Sequence, residues 1–209
     1  MDVHAPHEPV RSWKDFAIHL SIVTIGLFIA LMLEAGVEYW HHRRVVAEAR
    51  ENIRKELERN QQAATKDMQY IKENVKELRD DVRTIRVLRT HPMHFHGGLD
   101  NTMSFDTLDD SAWTTARDTG ALSYMPYEEV QGYADAYMLA GQVNAHALKA
   151  GEADFEAAAP MEMGDDPTAM PEVEYTRMLE QDADVVVQLN VLQQFLEQYQ
   201  RMDEKLLQK

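Results

Sequence analysis

Between Phe16 and Leu33 the chain carries no charged residue, and only His19, Ser21 and Thr24 are polar. With Glu34 tolerated the run reaches Val37. That is about 20 residues, enough to cross a hydrocarbon core of roughly 30 Å at about 1.5 Å per residue. A helix in the core of a soluble domain keeps a polar stripe, whereas this one is apolar nearly all round. Trp13 precedes the run and Tyr39 and Trp40 follow it, matching the aromatic belts of the two membrane interfaces. The run exceeds the apolar core of a signal peptide, and EYWHHRR follows it rather than a small-residue cleavage site. The sequence therefore predicts a retained single-pass transmembrane helix over residues 16–37, after an N-terminal tail at 1–15.

Charge sets the expected orientation. Arg11 and Lys14 precede the run, while Arg43, Arg44, Arg50, Arg54 and Lys55 follow it closely. The excess of cations after the span is expected to place the C-terminal body in the cytoplasm. The absence of cysteine is compatible with either side. Residues 1–96 hold 15 Lys+Arg and 14 Asp+Glu, a balance of +1; residues 97–209 hold 6 and 22, a balance of -16; together they make the net -15. So acidic a C-terminal half argues against a nucleic-acid partner. The Arg-rich collar after Trp40 is instead suited to anionic headgroups of a lipid bilayer.

From Glu38 to Arg89 there is neither Gly nor Pro, and the composition favours helix. Leu57, Ala64, Ile71, Leu78 and Ile85 recur every seventh residue, with Met68, Val75 and Val82 as a second row. This seam predicts a stalk helix over 38–90, continuous with the membrane helix. Its distal part is expected to pack in cis on the helix at 172–207. Its proximal part, interrupted by Asn60 and Gln61, is expected to stay open for a partner or the membrane surface. Pro92 and Gly97–Gly98 end the stalk, giving a loop over 91–108.

The acidic domain follows at 109–209. A helix capped by Asp109 or Asp110 is expected to stop at Gly120. A second is expected from near Pro126 to about Ala158, with Val130, Tyr133, Tyr137, Leu148 and Phe155 on its face. The last, from about Glu172 to Leu207, carries Met178, Val185, Leu192, Tyr199 and Leu206 every seventh residue. No strand pattern appears. The fold class is all-α: a transmembrane helix running on into a stalk, packed with about three further helices into a bundle.

Trp13-x-x-Phe16-x-x-His19, then the run from Gly26 through Leu33 to Glu34, HHRR, and AW-x-x-A-x-x-TGAL from Ala112 to Leu122 resemble a group of uncharacterised bacterial single-pass membrane proteins with a juxtamembrane helical stalk. The resemblance implies an anchor and a helical body, and brings no activity with it.

Candidate sites are sparse. Glu34 lies within membrane depth, where a carboxylate is costly unless it pairs or reaches the interface. It stands one turn before Glu38, which has His41 and His42 at i+3 and i+4. Glu34, Glu38, Arg43, Arg44 and the membrane histidine His19 are the candidate contacts to partner subunits in or near the bilayer. Glu38-Tyr-Trp-His41 has the E-x-x-H spacing of di-iron bundles, but such sites need a second copy of the motif, and none exists. His91, His94 and His96 are close enough to share a transition metal, yet no Cys or carboxylate adjoins them. No metal or cofactor is expected. Nucleophile elbows, phosphate-binding loops and zincin motifs are missing too.

The expectation is a non-catalytic, membrane-anchored helical protein, a scaffold or accessory subunit of a larger membrane protein complex. Other membrane subunits would be its partners, and it could form a homo-oligomer. The alternative is a membrane-anchored sensor or signalling module binding a small molecule in a pocket lined by Tyr133 and Tyr137.

Overall fold

The computed structural model describes residues 12–90, 103–162 and 171–208. Every regular element among them is helical: α1 (Trp13–Thr90), α2 (Ser111–Asp118), a single 3-10 turn (Ala121–Tyr124), α3 (Tyr127–Glu162) and α4 (Glu172–Leu207). The chain divides into two compact units, Met1–Ala47 and Glu48–Lys209.

The first unit contains the N-terminal part of α1. It is long and apolar enough to cross a membrane, and none of its apolar window is buried inside the chain. The large apolar side chains from Phe16 to Val37 are all exposed, as a membrane span requires and a soluble core helix would not allow.

The second unit is an all-α bundle. Ala64, Ile71 and Leu78 of α1 share one apolar core with Leu139, Ala140, Val143, Ala150 and Ala157 of α3 and with Val185, Leu189, Leu192, Leu196 and Tyr199 of α4. An ion pair between Arg89 and Glu172 and a 3.0 Å hydrogen bond from Gln200 Nε2 to Thr65 Oγ1 fix α4 antiparallel to α1. The seven-residue rows thus become buried faces, because a 3-4 repeat keeps one stripe of a helix toward its neighbours.

The structure corrects two sequence expectations and qualifies a third. The proximal seam is not open: Ile53, Leu57 and Asn60 are as buried as the distal seam, and Glu56 is fully buried beside them. Leu148 and Phe155 do not join Tyr137 in the core, being 65% and 77% exposed; α3 buries Ala136, Ala140, Ala150 and Ala157 instead, and these small residues let it lie close to α4. The helix after the stalk begins at Ser111, and its N-cap Asp110 makes no side-chain capping bond. Gly120 does end α2, with φ of 76° in the left-handed region, where a side chain is strained. Near the end of α4, Leu206 Cδ2 lies only 3.0 Å from where a Cβ on Gly132 would sit.

Candidate functional site

In the first unit the predicted contact residues do not converge. The His19 Nδ1 hydrogen-bonds the Asp15 carbonyl of its own helix at 2.8 Å. Glu34 is exposed. Glu38 Oε1 approaches His42 Nε2 at 3.9 Å rather than acting with His41. The guanidinium of Arg43 lies 5.9 Å from the Tyr39 ring centre, and that of Arg44 lies 5.9 Å from the Trp40 ring. The result is a collar of i,i+4 pairs, Glu38–His42, Tyr39–Arg43 and Trp40–Arg44, in which the aromatic faces hold the cations. His91, His94 and His96 lie outside the described residues. No group of three or more potential metal ligands occurs among the residues described.

The most elaborate polar arrangement among the described residues lies in the second unit, at positions of which only Asn60 stands out in the sequence, as a defect in the seam. On the edge of α1 facing the bundle, Ile53, Asn60, Asp67, Asn74 and Asp81 also recur every seventh residue; Asn60 and Asp67 are buried, at 2% and 3% exposure. Asn60 and Asp67 bind the non-helical strap 103–110 that leads into α2. The Ser104 amide donates to Tyr70 Oη at 3.3 Å, and the Asp106 amide to Asp67 Oδ1 at 3.2 Å. Lys66 Nζ pairs with Asp106 Oδ2 at 2.8 Å. Asn60 takes both backbone groups of Asp109, accepting from N and donating to O at 2.8 Å each. From α3, Asn144 does the same to Leu108 at 2.9 Å each. As the strap advances from 104 to 112, its α1 partners retreat from Tyr70 to Glu56, so it runs antiparallel to α1. A backbone segment outside helix or sheet needs partners for every buried amide and carbonyl, and these side chains supply them. Leu108, 2% exposed, points its apolar group into the core, and Phe105 meets Tyr70 edge-on at 5.7 Å.

Glu56 completes the strap. Its carboxylate accepts from Ser111 Oγ at 2.7 Å, from the Ala112 amide at 3.0 and 2.9 Å, and from Tyr137 Oη at 2.8 Å. Ser111 and Ala112 open α2, so Glu56 takes the place of the missing N-cap bond and sets a negative charge on the helix's positive end. Trp113 stacks on Tyr137 at 5.5 Å with planes 16° apart. Burial first, then the hydrogen bond to Glu56, push the Tyr137 phenol well above its ordinary range, so it stays a neutral donor. Three donors and four contacts occupy the lone pairs of Glu56. The arrangement is chemically fit to position α2.

Other carboxylates lack such donors. Asp203 is fully buried, and neither of its oxygens has a hydrogen-bond partner; Asp182 Oδ2 and Asp154 Oδ1 are likewise buried without one. Burial pushes Asp182 and Asp203 each up to about 7, with repulsion from Asp81 and Asp154 on the first and from Glu204 and Glu58 on the second. Asp67 is raised to about 6, mainly by burial, with the Asp106 amide pulling the other way. The Tyr199 hydroxyl lies toward Asn60 but outside good hydrogen-bond geometry.

A surface cleft of about 450 Å³ is lined by Arg50, Pro126, Glu128, Glu129, Tyr133 and Leu206. Arg50 is held by Glu129 through two 2.6 Å bonds. That fork keeps the Glu129 carboxyl below its usual range and leaves Arg50 committed rather than poised for an anion. Tyr133 lines the cleft; Tyr137, expected beside it, is buried on Glu56 instead. No family model, no curated protein and no solved structure matches the chain.

Proposed function

We propose that this protein is a non-catalytic, membrane-anchored scaffold or accessory subunit of a larger membrane protein complex. One observation carries the reading: an apolar helix exposed around its whole circumference continues as α1 into a bundle whose best-formed polar site positions its own backbone. The Arg43–Arg44 collar supports placing the bundle in the cytoplasm, by the bias of cations to that side, and the sequence resemblance points to a bacterial inner membrane as the site. Partner subunits would find apolar surface on α3, where Met138, Leu148 and Phe155 are exposed at 59%, 65% and 77%; exposed apolar groups gathered on one face are the usual mark of a contact. His19, Glu34 and Glu38 remain the proposed contacts at the bilayer.

The test is purification from its native membrane in mild detergent, with mass spectrometry of what accompanies it. Stoichiometric membrane subunits support the proposal. The sensor alternative draws on the cleft at Tyr133 and is favoured if the protein purifies without other subunits and carries a small molecule that Tyr133→Ala releases.

A further inference from the structure

Burying an ionised carboxylate without donors is far more costly than burying the neutral acid. Natural folds answer that cost with a cation, a set of N–H donors or a proton. Glu56 shows the donor solution. Asp203 and Asp182 have no such set, being 0% and 5% exposed with both oxygens of the first and one of the second unpartnered. They sit on α4, about six helical turns apart, where it faces the other two long helices. The groups around Asp203 are Glu58 and Glu56 on α1, Tyr137 on α3, and Tyr199 and Glu204 on α4 itself. Those around Asp182 are Asp81 on α1 and Asp154 on α3. All are acidic or phenolic. Among the described residues no Lys, Arg or His forms an ion pair with either carboxyl, and no metal-ligand group includes them.

We propose that Asp182 and Asp203 form a two-point proton latch: protonated, they let α4 seat in the bundle, and loss of their protons as pH rises loosens α4 from α1 and α3. Each carboxyl sits at about 7 in the folded bundle against about 4 in an open chain, so the folded state holds more protons. The stability this confers is complete below about pH 4, declines above it, and is gone once the pH has passed about 7. Between pH 6 and pH 8 the opening equilibrium of α4 should rise about tenfold for each carboxyl, about a hundredfold for the two acting independently.

The test uses the full chain in detergent micelles. Amide hydrogen exchange over 172–207, corrected for intrinsic rates, reports the opening equilibrium. Protection is expected to fall by about a hundredfold from pH 6 to pH 8 in the natural protein. In D182N/D203N, whose amides keep the neutral shape, it should change less than threefold and exceed the natural protein's at pH 8. A natural protein whose α4 protection is flat across this range overturns the latch, as does a folded double variant with the same pH response. An infrared reading decides the case in which the variant does not fold. The carbonyl band of a protonated carboxylic acid should be present at pH 6 and vanish by pH 8, and its absence at pH 6 sinks the proposal.

Discussion

Glu56 and Asp203 are two fully buried carboxylates on neighbouring helices, and they are buried in opposite ways. Glu56 accepts from a hydroxyl, an amide and a phenol, whereas neither oxygen of Asp203 has a partner. The first therefore behaves as a fastener and the second as a titratable weak point. A buried charge is not stabilising or destabilising by its type. Its neighbours' free N–H and O–H groups decide, and in this bundle those groups are concentrated where the strap enters α2.

Four measurements sharpen or break this contrast. Glu56→Ala should be the most damaging, leaving the Ser111, Ala112 and Tyr137 donors unpaired for a loss of about 3–5 kcal/mol in denaturant unfolding; a loss under about 1 kcal/mol would mean the carboxylate only fills space. Next, the unfolding free energy of the natural protein should increase by about 1–2 kcal/mol per buried acid between pH 8 and pH 5.5, since Asp182 and Asp203 are raised to about 7 and the folded state gains their protons; calorimetry at matched ionic strength reads it. Asn60→Ala should cost about 1–2 kcal/mol and speed amide exchange at Asp109 in particular. Smallest, Lys66→Ala removes an exposed pair with Asp106 and should leave the unfolding midpoint unchanged within error.

The apolar layer was legible from sequence. Leu57, Ala64, Ile71, Leu78 and Ile85, and Met178, Val185, Leu192 and Tyr199, announce their burial by a seven-residue period, and all of them are buried. The polar layer was not. Asn60 looks like an interruption and Asp67 like an ordinary surface residue, because a polar side chain beside a core row is ordinarily a sign of exposure. What reverses that sign is a backbone segment 39 residues from Asp67 and 49 from Asn60, and backbone amides leave no mark in a sequence. A signal did exist: Ile53, Asn60, Asp67, Asn74 and Asp81 share the period of the apolar row, which random surface residues have no reason to do. Leu148 and Phe155 failed in the other direction. Their size suggested core, yet on α3 the alanines take the core and the large side chains are left outside, because close helix approach selects for small residues.

The strap's attachments are side-chain hooks at four levels, Tyr70, Asp67, Asn60 and Glu56, rather than a ladder between two backbones. A ladder propagates its register from one end, so a residue gained or lost upstream shifts everything after it. Hooks at fixed heights on a rigid helix do not: each one seizes its own stretch of chain, wherever the chain comes from. The start of α2 is thus measured from α1 and not from the segment that precedes it. A two-residue insertion between α1 and the strap should therefore leave Trp113 on Tyr137 and the bundle intact.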